Sequence, residues 1–416
     1  MPLETPRRVR LVILLICSLS MPASAEVELP TPLRLDDVVA MVGARRPEVL
    51  AARARARAAA QRPAIVAALD DPSVFASIDH LPFSLMGLDG SVTVEQTFPL
   101  SRIRSHRKRG AEADARRERA NAERAGLDVE LDGAGAFWML AQVRASAKIV
   151  ERQHALSEQL VAAAIARYST NTGTQSDVLR AQIEVARFDA ERRALAAEVR
   201  GAEVMLNTSL ARAADAPIPE LDTTVPEGMP PAPDAIARVA GRRPELRGGR
   251  AEIERAEADV RVMRSMYAPM AMVRTGPAYT MAEGSGWMVM VGVSIPIWRG
   301  KLRAGVAEAT AMVEMANADL DAMQRMVDGQ ARFARERVIA ARERFLALRD
   351  VIVPRAEQAI APTLAAYASG QVPLVSVVEA AQTLWSVERE LVGARVELGL
   401  AWARLRRASG EEGTRR

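Results

Sequence analysis

One cysteine, Cys17, is all the thiol chemistry this chain could draw on. It falls in a segment that reads as a leader. Arg7, Arg8 and Arg10 form a basic start, Leu11 to Leu19 an apolar core, and Ala23-Ser-Ala25 a small-x-small cleavage site. Residues 1–25 are therefore expected to leave as a signal peptide. Ile16 stands where a lipid-attachment motif wants a small residue, which argues against lipidation at Cys17. A mature chain beginning at Glu26 has neither disulfide nor thiolate. Histidine is almost as scarce: His80, His106 and His154 show no ligand spacing. No nucleophile–base set is visible. The lone Gly133-Ala-Gly135 follows no strand, so it is not a nucleotide loop. Enzymatic activity and cofactors are not expected. An excess of one charge is also missing. Basic residues number 56 and acidic ones 52, and the leader's three arginines and one glutamate carry off half of the net +4. That balance is no nucleic-acid signature. No run of ~18 apolar residues follows the leader, so no transmembrane helix is expected. Aromatics make up only 4% of the chain, and Ala and Arg are abundant, a composition suited to long packed helices.

What is present is a plan written twice. The first repeat covers 26–212. A helix follows Pro47, and a β-hairpin spans 72–98, reversing at Leu85-Met-Gly-Leu-Asp-Gly90. A proline-free rod then runs from about Arg102 to Arg167, with apolar residues at three and four, as in Leu140, Val143, Ala147 and Val150. Gly133 and Gly135 are expected to permit close helix approach. After the turn Tyr168-Ser-Thr-Asn-Thr-Gly173 a shorter helix returns. Residues 213–233 are a proline-rich linker. The second repeat, 234–408, opens on Arg242-Arg-Pro-Glu-Leu246, an echo of Arg45-Arg-Pro-Glu-Val49. It continues with a hairpin over 268–297, a second rod expected as one helix over 299–368, the turn Tyr367-Ala-Ser-Gly370 and a return helix. In that last helix Leu384, Leu391, Leu398 and Leu405 recur every seventh residue, a coiled-coil seam. Residues 409–416 form a tail. Two matching halves point to duplication within one architecture.

The hairpins carry the strongest chemical signal. In Gly286–Pro296 the residues Trp287, Val289, Val291, Val293 and Ile295 share one face, and Met288, Met290, Gly292 and Ser294 the other. In the first hairpin Val92, Val94 and Phe98 oppose Ser91, Thr93, Glu95 and Thr97. Each strand is close to the roughly 9–11 residues that cross a bilayer on a tilt. Seven of the sixteen aromatic residues fall within 72–98 and 267–298, the two hairpin regions with their immediate flanks, and Phe75, Phe98, Tyr267, Tyr279, Trp287 and Trp298 are expected to form a membrane girdle against outer-membrane lipid. Four strands cannot close a barrel, since about eight is the smallest number that works. Open edges are not tolerated in lipid. Several copies must therefore pool their strands. Two copies reach eight and three reach twelve.

With its ordered repeat, its strand ends Phe98-Pro-Leu100 and Ile295-Pro-Ile297, and its turn segments Tyr168–Gln182 and Tyr367–Gln382, nearly the whole mature chain resembles the TolC family of bacterial outer-membrane efflux proteins. The Asp177-Val-Leu-Arg-Ala-Gln182 segment and the compact second hairpin look like the heavy-metal and drug efflux branch. The resemblance implies a mixed α and β membrane protein. It implies a homotrimer whose twelve-stranded transmembrane β-barrel takes four strands per chain, above a periplasmic α-helical barrel. It implies docking to a periplasmic adaptor and an inner-membrane pump of RND or ABC type, with small toxic compounds or metal ions as cargo. The exit duct of a type I protein secretion system is the alternative within the class. A secreted coiled-coil scaffold without a pore is the alternative outside it.

Control of such a duct lies where the helices converge. The family's acidic gate positions, counted from Gly370, fall on Ser376 and Glu379. Counted from Asn171 they fall on Asp177 and Arg180. Glu379 and Asp177 keep the carboxylate; Ser376 and Arg180 depart from it. A helix cap is the competing role for Asp177. Thr172, Gly173, Gly370, Val372 and Leu374 are the expected adaptor-docking residues. Methionines crowd the second hairpin, and Met288 and Met290 are weak candidates for Cu(I), against the ordinary use of methionine to fill gaps. Arg102, Arg104, Arg107, Lys108 and Arg109, with Arg299, Lys301 and Arg303, begin the two rods. They are read as solvated charge or as contacts to anionic headgroups.

Overall fold

The longest element explains the shape of the rest. α3 (Ile103–Ser169) is one unbroken helix of 67 residues, roughly 100 Å at 1.5 Å per residue. No proline lies within it, and its buried residues Gln153, Ser157, Leu160 and Ala164 recur at helical spacing. A helix this long is held by packing rather than by propensity. α4 (Gln175–Ser209) returns along it. The computed structural model describes residues 28–80 and 89–410, and the side chains of Asp79 and His80 fall outside that description. The expected signal peptide, Phe83, most of the first hairpin's turn and the last six residues lie outside the described residues.

The second rod is not the single helix expected. α7 (Arg299–Ala347) passes into a π-helical segment, Leu348–Ile352, before α8 (Val353–Ala368). Pro354 gives the reason. It offers no N–H to the carbonyl of Asp350 and its ring crowds that carbonyl, and one wider turn relieves both. α9 (Leu374–Ser409) returns. Its seam is real: Ala394, Leu398, Ala401 and Leu405 are buried, and Leu384 and Leu391 pack partly.

Each hairpin is preceded by a helix pair, α1 (Leu35–Arg45) with α2 (Pro47–Ala67), and α5 (Pro233–Ala240) with α6 (Pro244–Ser265). Pro47 and Pro244 sit in first turns, where no N–H is needed. The strands β1 (Ser73–His80), β2 (Asp89–Pro99), β3 (Met270–Thr280) and β4 (Gly284–Ser294) form one antiparallel sheet in chain order. The central β2–β3 pairing joins the two repeats. Its ladder has a gap between Ser91–Ala278 and Val94–Thr275, where Pro277 has no N–H to give. Gly276 closes that gap, for a Cβ there would lie 2.1 Å from the carbonyl oxygen of Val92.

The main core lies where both repeats' short helices wrap the rods. Phe137 and Trp138 meet edge to face at 5.3 Å, among Leu140, Leu206, Leu210, Val338, Phe345 and Leu398. Gly133 permits the close approach of Val42, as expected, but Gly135 faces open space. Gly399 does what Gly135 was expected to do: a Cβ there would lie 2.2 Å from the Trp138 ring. The linker is pinned rather than loose. Leu33 and Leu221 bridge, and Arg144 donates to the carbonyls of Ile218 and Pro219. Among the described residues no helix is long and apolar enough to cross a membrane.

Candidate functional site

Two places in the fold are candidates for function, the sheet and the helical tip. The sheet inverts the usual rule of apolar inside and polar outside. Along β2, Ser91 and Thr93 are 8% and 2% exposed, whereas Val92 and Val94 between them are 53% and 45% exposed. The sheet therefore curls with its polar face inward. β4 continues the pattern, with Trp287, Val289, Val291, Val293 and Ile295 all exposed on the outside. A half-cylinder that is polar within and apolar without, with β1 and β4 as open edges, is one segment of a transmembrane barrel.

The aromatics mark its height. Trp287 and Tyr279 lie toward the hairpin end, and Phe98 and Trp298 toward the helices; all four are exposed. The stretch from Trp287 to Trp298 measures roughly 36 Å along the chain at ~3.3 Å per residue. Tilted about 45°, it covers the ~25 Å apolar band of outer-membrane barrels. Tyr267, partly buried, sits below β3 with the Arg299 guanidinium 5.6 Å from its ring centre. Phe75 departs from the expected girdle. It pairs with Thr93 in register and so lies on the concave face, its ring 4.6 Å from the Arg274 guanidinium. The reason is strand parity: Val74 and Ile78, not Phe75, take the lipid side of β1. Met288 and Met290 lie on the concave face, opposite Gly276 and Arg274.

At the other end of the rods the two turns meet. Asn171 and Gly370 adopt left-handed backbone, with φ of 57° and 81°. Arg167 binds the turns together. Its Nη1 donates to the carbonyl of Tyr367 at 2.7 Å and its Nη2 to that of Thr172 at 2.8 Å. Beneath lies a small core of Leu160, Ala164, Ala181, Tyr367, Leu374 and Val377. Leu374, expected among the docking residues on the surface, is therefore inside, and Val372 packs partly against the same core. It is buried because it opens α9 on the face turned toward α3. Thr172 is exposed, and Gly173 partly so. Burial pushes the Tyr367 hydroxyl up from its ordinary pKa, with the nearby Asp177 charge adding to it and Arg167 opposing.

The gate candidates divide. Asp177 is the third-position partner in a capping box whose N-cap is Thr174: its backbone N–H donates to Thr174 Oγ1 at 3.2 Å, and its Oδ2 accepts from the Thr174 N–H at 3.3 Å. Ser376 sits in the first turn of α9, its N–H on the carbonyl of Pro373. Arg180 and Glu379, from opposite repeats, line one groove of about 330 Å³ between α4 and α9, with Ile183, Glu184 and Val378. Glu379 thus shares a groove with Arg180, and Asp177 is not among the residues that line it. Of the basic residues that begin α3, Arg104 donates to the carbonyl of Ala67 and Lys108 pairs with Glu112. His154 lies between Glu158 and Asp189, a structural contact of α3 with α4.

Sequence reasoning missed two arginines. Arg167 was one of many basic residues on a rod. Arg274 was an isolated charge in a strand, and only the opposite charge at Glu95 on another polar strand face hinted at its role.

Residues 235–411 match the family model described as outer membrane efflux protein. No curated protein sequence matches the chain. Among solved structures, the outer-membrane channel OprN is similar at 19% identity and a TM-score of 0.76, over 91% of this chain and 90% of that one. The outer membrane protein VceC from Vibrio cholerae is similar at 17% identity and 0.76, over 90% and 96%. CusC, a transmembrane channel, is similar at 13% identity and 0.79, over 91% and 92%. At these identities the likeness carries the fold, and the family match is confined to the second repeat. The chain is a duplicated hairpin-and-rod fold whose curled sheet is polar within and apolar without: its fold is that of outer-membrane channels, and its second repeat matches the outer membrane efflux protein family.

Proposed function

We propose that the protein is the outer-membrane exit duct of a tripartite efflux system. In it, small toxic compounds or metal ions pass from a periplasmic adaptor and an inner-membrane pump to the exterior. The observation that carries this reading is the curled sheet: its outer face is apolar between two aromatic levels, its inner face is polar, and both edges are open. Such edges must be paired in lipid. Copies of the same chain supply matching strands, and a trimer closes twelve of them while extending the helices into one tube. The tip, with Thr172 exposed at the end of two stapled turns, is the surface offered to an adaptor. The groove holding Arg180 and Glu379 lies just above it.

The test is reconstitution. Purified mature protein should form heat-modifiable oligomers in detergent and conduct ions in a planar bilayer. A cysteine placed at Thr172 should crosslink to an adaptor in membranes. Protein that stays monomeric and soluble without detergent would falsify the proposal. If the complex pulled down holds a protein-secreting ABC transporter instead of a drug or metal pump, the duct serves type I secretion.

A further inference from the structure

Near mid-height on the concave face of the sheet three side chains from three strands converge. Arg274 Nε donates to Glu95 Oε2 at 2.9 Å and Nη2 donates to the same oxygen at 2.5 Å. The guanidinium carbon stands 4.6 Å from the centre of the Phe75 ring. Arg274 is also the register partner of Met290 on β4. Arginine, carboxylate, benzene ring and thioether thus make one belt across β1 to β4. Both ions are partly withdrawn from water, the Glu95 side chain 16% exposed and that of Arg274 29%.

Among the described side chains Glu95 and Arg274 are the only ionisable groups along the middle of this face. Besides Phe75, the rest are Ser73, Ser77, Ser91, Thr93, Thr97, methionine, glycine and alanine. Asp89 lies at the hairpin end, where its Oδ1 accepts from the Met281 N–H. A charge here acts at close quarters on whatever passes, because low-dielectric walls focus its field.

We propose that Glu95 and Arg274 together set the charge preference of the barrel interior. Paired, they cancel, so the outlet admits anionic, cationic and neutral amphiphilic solutes alike. The aromatic and thioether neighbours offer dispersion contacts to such cargo without adding charge. The inference rests on the channel reading above. It goes beyond it by placing selectivity in the outlet, at two named residues, rather than at the periplasmic tip.

The experiment is the reversal potential of the reconstituted channel in a KCl gradient. Glu95→Gln leaves an unopposed cation on each chain and should favour chloride. Arg274→Gln leaves an unopposed anion and should favour potassium. Each shift in the permeability ratio should be roughly twofold or more at ~0.1 M salt, where the Debye length is about 10 Å, and should fade at ~1 M, where it is about 3 Å. The swapped pair E95R/R274E should return the ratio to that of the wild type. A pair that only staples strands would lower oligomer stability in all three variants and leave reversal potentials unmoved. That result overturns the inference but leaves the channel intact. A wild-type protein that does not conduct overturns the channel reading and this inference together.

Discussion

The guanidinium of Arg167 stands 4.7 Å from the centre of the Tyr367 ring while donating to that residue's own carbonyl at 2.7 Å. The two residues are 200 positions apart, each within a turn of the end of one rod. One side chain therefore fixes the first repeat's tip to the second's. Removing it by Arg167→Ala deletes two hydrogen bonds and a cation–π contact, a loss of about 2 kcal/mol in local stability. Amide exchange at Thr172 and Gly173, which now donate to the Arg167 carbonyl, should speed up by about thirtyfold. Unchanged exchange in the variant would show that the turns hold without the staple.

The duplicated Arg-Pro-Glu motif makes the same pair twice in different surroundings. Arg46 donates to Glu48 at 3.2 and 2.7 Å, and Arg243 to Glu245 at 3.2 and 2.7 Å. Only the second is buried, and there Arg407 adds a bond to Glu245 at 2.7 Å and reaches Asp128. Burial pushes the Glu245 carboxyl up, but the bonds from Arg243 and Arg407 outweigh it and hold it at about 2. A depressed folded pKa gives stability that is present above ~4.5 and lost as pH falls from there toward ~2. Over that window Glu245 accounts for roughly 3 kcal/mol. Glu245→Gln should cost about that much at neutral pH and flatten the acid limb of the unfolding curve. Glu48→Gln, at a mostly exposed site, should cost ~0.5 kcal/mol or less. Equal losses in chemical denaturation would contradict this account.

Gly399 is required by the Trp138 ring. A Cβ at 2.2 Å from the indole cannot be accommodated unless the ring or the helix shifts. Gly399→Ala should destabilise the protein by about 1–3 kcal/mol through overpacking. Gly393, on the same helix with open space around it, serves as control, since Gly393→Ala should be neutral or slightly stabilising. The comparison is read as the shift in thermal midpoint of the solubilised protein.

The outer face of the sheet is testable by charge. Val291 is 69% exposed in the middle of β4, so it meets the centre of the apolar band. Val291→Arg should cost ~2–4 kcal/mol in membrane assembly and reduce the heat-modifiable oligomer in outer-membrane fractions. Thr97→Arg, with its side chain on the concave side, should leave assembly largely intact. The opposite ranking would mean that the two faces have been assigned the wrong way round.

At the tip, Glu379→Ala should alter single-channel conductance and ion preference. Asp177→Ala should instead cost about 1 kcal/mol or less by breaking the capping box with Thr174 and leave conductance unchanged. The contrast follows from geometry: Glu379 opens on the groove with Arg180, while Asp177 is engaged with Thr174. A conductance change in Asp177→Ala alone would reverse these roles.

The order of elements and the two-faced strands were legible in the sequence because both are local. Helical spacing, strand alternation and prolines in first turns depend on near neighbours along the chain. Hairpin bounds of 72–98 and 268–297 came within three residues of the observed strand ends. The π-helical break was missed, although Pro354 announced it, because the apolar pattern continues on either side. The parity of Phe75 was missed because β1 alternates weakly and its face is fixed only by pairing with β2.

The sequence by itself determined a twice-written plan of helix pair, amphipathic hairpin, long rod and return, since each depends on periodicity and turn chemistry. Tertiary structure alone decided which distant residues meet, Glu95 with Arg274, Arg167 with Tyr367 and Gly399 with Trp138, and that Arg180 and Glu379 line one groove. The physical reason is that register between strands and rotation between packed rods are set by the summed fit of many contacts. A shift of one residue leaves every local pattern unchanged and moves every such pair apart.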